Sequence, residues 1–198
     1  MKKSLLLILF TVALFFTSSA ATITVCASGC DHTTIAAAIA AATAGDIIDI
    51  QYTGAAYTED DITVDKNLTI QGQGQTSTII QAAATQGAAD DGVFIVNTGL
   101  TVTFQNMTIQ NGNAMSSGTS SLETGGGVHI ICDGSTNVSF SQVTITNNRS
   151  DNFGGGVELT GNEGTVSFTD CVISNNKGNE SSNAVDGGGI SNRGADTF

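Results

Sequence analysis

An all-β solenoid, short parallel strands wound into stacked coils, is the fold class that this sequence predicts. Three observations lead there: a repeat whose columns align, strand-type alternation broken by fixed corner steps, and a composition rich in Gly, Asn, Thr and Ser with no Pro or Trp. The segments TVTFQNMTIQN, NVSFSQVTITN and TVSFTDCVISN align Val102, Val138 and Val166, then Phe104, Phe140 and Phe168. The same register aligns Met107, Val143 and Cys171, then Ile109, Ile145 and Ile173, and closes on Asn111, Asn147 and Asn175. Before these blocks GGGVHI, GGGVEL and GGGISN restart the turn, placing Val93, Val128, Val157 and Ile190 in one column and Ile95, Ile130 and Leu159 two residues on.

Alternation such as Val138 and Phe140, resumed at Val143 and Ile145, is the period of a strand with one buried face, and the three-residue step between the pairs marks a corner. Coils built this way stack like residues about 4.8 Å apart, aliphatic on aliphatic and Phe on Phe. His129, Glu158 and Ser191 hold the opposite parity and are expected on the solvent side. Asn111, Asn147 and Asn175 are expected to form a buried amide ladder at a corner. The return path is the variable part, 17 residues from Asn111 to Val128, 10 from Asn147 to Val157 and 15 from Asn175 to Ile190.

Residues 1–20 have the pattern of a secretory signal peptide: Lys2 and Lys3, an apolar run from Leu5 to Phe16, then the small residues Ser18 to Ala21. No other segment is apolar enough to cross a bilayer, so no direct membrane insertion is expected, and an extracellular or cell-surface location follows, outer-membrane associated in a bacterium. The chain carries 6 Lys+Arg against 18 Asp+Glu, a net charge of −12; without Lys2 and Lys3 it is −14. Such a surface repels nucleic acid and anionic membranes. Cys26 and Cys30 are read as a disulfide clasp or a free pair; without a second Cys or His pair nearby, no metal and no cofactor is assigned. Cys171 falls in an inward column, and Cys132, two residues after Ile130, is read as inward too. HTTIAAAIAAATAGD predicts a helix capped by Thr33 or Thr34, with an Ile35/Ile39 stripe that covers the open end of the first coil. His32 beside it is expected to be a solvent-exposed neighbour of the helix start. The Asn-x-Ser/Thr sequences at Asn67, Asn106, Asn137, Asn148 and Asn179 imply glycans only in a eukaryotic host.

The stretch TIAAAIAAATAGDIIDIQYTGAAYTEDDITVDKNLTIQGQGQTSTII resembles the amino-terminal coil of the pectin-lyase-like superfamily. Its phrases run through Ala38, Ile39, Ala42, Gly45, Asp46, Ile48, Tyr57, Glu59, Lys66, Leu68, Thr69, Ile70, Gly72, Gly74, Thr78 and Ile80. From Gly92 onward the GGGV and GGGI turns are similar to repeats of polymorphic outer-membrane proteins and autotransporter-like surface proteins. The resemblance implies a right-handed, single-stranded parallel β-helix with an N-terminal capping helix. Residues 21–91 then form the cap and first coils, and residues 92–198 form repeats that continue beyond the chain end, leaving the helix C-terminally incomplete.

Enzymes of that fold acting on acidic polysaccharides use Asp with Arg or Lys, often with Ca²⁺, on one outer sheet face. The acids at hand are Glu59, Asp60, Asp61, Asp90 and Asp91; the cations are Arg149 and Lys177, which occupy equivalent places after the Asn column. No column joins carboxylates with a cation, so no catalytic residue is assigned. The expectation is an exported surface or adhesin-like protein that presents the loops at 112–124 and 177–186 to carbohydrate or a cell-surface ligand, without catalysis. The alternative is a polysaccharide lyase or glycoside hydrolase whose active site lies largely beyond residue 198.

Overall fold

A computed structural model describes residues 19–114, 124–178 and 187–193. Most of the segment read as a signal peptide, and most of both variable loops, lie outside them. The chain runs β1 (Thr22–Val25), α1 (Ile35–Ala41), β2 (Ile47–Ile50), β3 (Tyr57–Thr58), β4 (Ile62–Val64), β5 (Leu68–Gln71), β6 (Ile79–Gln81), β7 (Phe94–Val96) and β8 (Thr101–Gln110). It continues with β9 (Asn113–Ala114), β10 (Val128–Cys132), β11 (Asn137–Thr146), β12 (Arg149–Ser150), β13 (Val157–Gly161), β14 (Thr165–Thr169), β15 (Val172–Ser174) and β16 (Ile190–Arg193).

Every pairing among the described strands is parallel. A long sheet stacks β1, β2, β5, β8, β11 and β14, and a short sheet stacks β4, β7, β10, β13 and β16. The repeat register holds in the long sheet: Phe140 lies between Phe104 and Phe168, and Ile145 between Ile109 and Ile173. Each corner is one residue in the left-handed conformation, Asn106, Gln142 and Asp170 at φ near +55°. These corners split the long sheet into two faces and account for the three-residue step from Phe140 to Val143. The side chains of Phe104 and Phe140 stack with centroids 5.1 Å apart, and those of Phe140 and Phe168 at 4.9 Å.

One register shifts in the short sheet. Val128 pairs with Phe94 rather than Val93, and Ile130 with Val96. Phe94 therefore points inward and meets Phe104 edge-on at 5.1 Å, while Ile95 takes the outward parity. Between paired positions, Phe94 to Val102 is 8 residues where Val128 to Val138 is 10 and Val157 to Val166 is 9, and a one-residue slip from the Val93 alignment exchanges the two faces of the strand.

The amide ladder also stands one residue from its expected place. Asn111, Asn147 and Asn175 are the left-handed corner residues, with φ between 55° and 57°. Asn148 and Asn176 carry the ladder. Asn148 Oδ1 accepts from Gly112 N at 2.9 Å, its Nδ2 donates to Ile109 O at 3.2 Å and to Asn176 Oδ1 at 3.1 Å, and its backbone N donates to the same Asn176 oxygen at 2.9 Å. Asn176 Nδ2 repeats the pattern on Ile145 O at 2.9 Å. A left-handed residue swings its own side chain away from the stack and aims that of the next residue along the axis. The third coil has Gly112 at this position, so its backbone N–H supplies the rung.

At the amino-terminal end α1 packs Ile35, Ala38 and Ile39 over the first coil. Thr34 caps it by accepting from Ala37 N at 3.3 Å. Glu59 accepts from Ile35 N and Ala36 N at 2.8 and 3.1 Å, and Lys66 Nζ donates to Ile39 O at 2.9 Å. Both free ends of this short helix are satisfied from the coil beneath it. Asp46 ties down the entering strand, accepting from Ala21 N and Thr43 N, both at 2.8 Å, and these bonds hold its carboxyl below the usual range.

Candidate functional site

The outward column of the short sheet is where titratable groups gather. In β10, β13 and β16 the core side takes Val128, Ile130, Val157 and Leu159, so His129, Glu158 and Ser191 line the opposite face in register. Their parity is the expected one but their solvation is not: exposures are 2% for His129, 0% for Glu158 and 8% for Ser191. The glycine turns fold back over them. Gly125 and Gly154 have φ of +72° and +56°, and a Cβ on either would stand under 3 Å from the Cα of His129 or Glu158. Glycine is what lets the turn lie flat on this column.

Arg193 completes the group and was missed in the sequence. Two residues beyond Ser191 it shares that parity, and it is the register partner of Thr160. Its Nε donates to Glu158 Oε1 at 2.7 Å, and its guanidinium lies 3.7 Å above the Phe153 ring. The Arg193 side chain is 42% exposed and that of Glu158 0%, so the cation is the solvent-facing member of the pair. Its spacing from Ser191 was the available signal, two residues on and of the same parity.

His129 Nε2 lies 2.8 Å from Thr160 Oγ1, while its Nδ1 is buried with no hydrogen-bond partner. Burial, and secondarily the Arg193 charge, lower its pKa to about 4. A neutral imidazole in the fold and an ordinary one in the unfolded chain mean that only the unfolded state takes up a proton between about pH 6.5 and 4. Stability contributed by His129 is therefore full above pH 6.5 and lost as the pH falls towards 4, by about 3 kcal/mol. Denaturant titrations at pH 7 and pH 4.5 should show this loss, and His129→Gln should reduce it.

The remaining candidates separate. Glu59 belongs to the helix cap. Asp60, Asp61, Asp90 and Asp91 converge, since partial burial and then Asp61, Asp60 and Asp90 raise the Asp91 carboxyl above the usual range. Among the described residues no group of three or more His, Cys, Asp and Glu forms a metal cluster. Arg149 and Lys177 are bridge partners on adjacent coils, and Arg149 lies 3.7 Å from Asp151. Cys26 and Cys30 form a disulfide across Cα atoms 5.5 Å apart, whereas Cys132 and Cys171 are free thiols. His32 is half-buried, its backbone paired to Thr24 and Cys26 rather than standing free beside the helix.

No protein-family profile and no curated protein sequence matches the chain. Solved structures do. A pectin methylesterase variant in complex with a hexasaccharide is 19% identical, with a TM-score of 0.51, over 78% of this chain and 49% of its own. This chain has the right-handed parallel β-helix fold. Two further similar structures are pectin methylesterase with another hexasaccharide, at 20% identity, 78% and 55% coverage and TM-score 0.46, and PemA from Erwinia chrysanthemi, at 19%, 79% and 49% coverage and 0.49. This β-helix spans about half the length of the first of these proteins. The expectation of an adhesin-like rod without catalysis is corrected here: the first of these similar structures is a pectin methylesterase, and this chain's outer column does join a carboxylate with a cation. No described helix is long and apolar enough to cross a membrane.

Proposed function

We propose that this β-helix is a pectin-related, carbohydrate-active enzyme that meets its polymer at the outer face of the short sheet. The Glu158–Arg193 pair, with His129 beside it, is the observation that carries this reading. Arg193 is the contact residue, because it alone of the three reaches solvent. Glu158 acts through it as a positioning residue. With Nε committed to Glu158, the remaining guanidinium N–H groups are free in number to donate to an oxygen of the substrate.

Charge supports an esterified polymer over a bare polyuronate. A net charge of −12 repels a polyanion, whereas a methyl-esterified chain loses that penalty. The matching reaction is ester hydrolysis. Water adds to the ester carbonyl, Arg193 stabilises the negative charge developing on its oxygen, methanol leaves with one of the water's two protons, and the acid formed releases the other to solvent as it becomes a carboxylate. The signal-like pattern of residues 1–20 supports export to where such polymers occur. The likeness of the GGGV turns to outer-membrane repeats stays one of sequence.

Incubation with highly methyl-esterified pectin separates the reactions. Methanol release without new reducing or unsaturated ends is expected. Chain cleavage would replace the esterase reading with a lyase or hydrolase, and no product of any kind would refute the enzyme.

A further inference from the structure

The second face of the long sheet carries a feature that the short-sheet chemistry does not use. Between the corners at Asp170 and Asn175 and their equivalents, outward side chains form two columns: Ile79, Thr108, Thr144 and Val172, then Gln81, Gln110, Thr146 and Ser174. Thr108 and Gln81 are buried beneath the flanking segments, so the open floor is Thr144, Val172, Gln110, Thr146 and Ser174. The second column is hydrogen-bonded in two stretches. Gln81 Nε2 donates to Thr58 Oγ1 at 3.1 Å, Gln110 Nε2 to Gln81 Oε1 at 3.0 Å, and Thr146 and Ser174 hydroxyls meet at 3.2 Å.

Two segments wall this floor. Residues 72–78 leave the sheet at one corner, accept from Thr108 Oγ1 through Gln75 O, and reach Asp170 O with Gln75 Nε2 at 3.1 Å. Residues 82–89 leave at the other corner, where Asn111 Nδ2 donates to Ala83 O at 3.1 Å, and reach Asn175 O with Gln86 Nε2 at 3.4 Å. Both walls end on the residues that bracket β15. In a chain with 18 acidic residues, neither wall and no position of the floor is charged.

We infer that this trough binds an uncharged, hydroxyl-rich glycan strand lying along the solenoid axis. Its rungs repeat at the strand spacing of about 4.8 Å, a step similar to the length of one pyranose unit. Gln81 is buried and uses a donor and its oxygen in the ladder, but the half-buried Gln110 uses one donor there, so its second N–H and its oxygen, with the Thr144 and Thr146 hydroxyls, can meet sugar hydroxyls. Val172, half exposed at the far end, and Ala84 and Ala88 of the 82–89 wall offer apolar contact to the C–H faces of the rings. A polyuronate is disfavoured because nothing here neutralises a carboxylate. An extended peptide is disfavoured because the floor presents side chains, not an open strand edge.

The inference stands apart from the short-sheet reading and is tested without activity. In native gels containing highly esterified pectin, a neutral β-glucan or polygalacturonate, the full chain carrying Arg193→Ala, which removes the other contact, should be retarded by an uncharged polymer and not by polygalacturonate. Adding Gln110→Ala with Thr146→Val should weaken that binding about tenfold. Val172→Glu, at an exposed position that leaves the fold intact, should do the same. Absence of retardation in the Arg193→Ala background would overturn the inference. So would retardation that both floor variants leave unchanged, or retardation by polygalacturonate alone.

Discussion

Phe140→Ala is expected to lower the stability of the β-helix by about 3–5 kcal/mol. The ring is 1% exposed and lies between two parallel rings, 5.1 Å from Phe104 and 4.9 Å from Phe168. Coil spacing is set by backbone hydrogen bonds on all sides, so the neighbouring rings cannot close the gap and the cavity persists. Phe168→Ala should cost less, because Phe168 is only partly buried and stacks on a ring from one side among the described residues. Urea unfolding of both variants checks the order.

Asn148→Leu is the second large effect, on the order of 3–5 kcal/mol, because each buried polar partner left unsatisfied costs roughly 1–3 kcal/mol. Leucine fills the volume but orphans Gly112 N, Ile109 O and the bond to Asn176 inside a stack that water does not enter. The neighbouring Asn147→Leu exchanges a half-buried left-handed residue and should cost only about 1 kcal/mol, because leucine lacks the short polar side chain that lets asparagine adopt that conformation. Melting temperatures of the two variants distinguish ladder from corner. Full burial also withdraws Asn148 from its Asn-x-Ser sequence as a glycan acceptor.

The contrast between these two asparagines shows what was legible in the sequence. Columns of Val, Phe and Ile state parity, and parity alone placed Phe104, Phe140 and Phe168 correctly. The ladder needed one more fact, that Asn111, Asn147 and Asn175 are left-handed and hand the axial direction to the residue that follows. Two adjacent Asn residues in each of two repeats left the choice open. Similarly, the outward parity of His129, Glu158 and Ser191 was readable, while their burial depends on GGG turns folding back over the sheet. Gly-Gly-Gly announces conformational freedom without saying where the chain goes. Arg193 stands four residues into the last strand, where the repeat had ceased to offer a fourth block for comparison. The trough was invisible for another reason: its walls come from residues 72–89 and its far end from residues 170–175, so no local pattern joins them.

Most directly, the functional account is tested by methanol release from highly methyl-esterified pectin, measured for the full chain and for Arg193→Ala side by side. Loss of the solvent-facing guanidinium should reduce the rate about a hundredfold or more, read at a temperature where the variant is still folded, because Arg193→Ala also takes a cation partner from the buried Glu158 carboxylate and lowers the melting temperature. An Arg193→Ala chain that releases methanol as fast as the parent would contradict the assignment of the short-sheet face as the site.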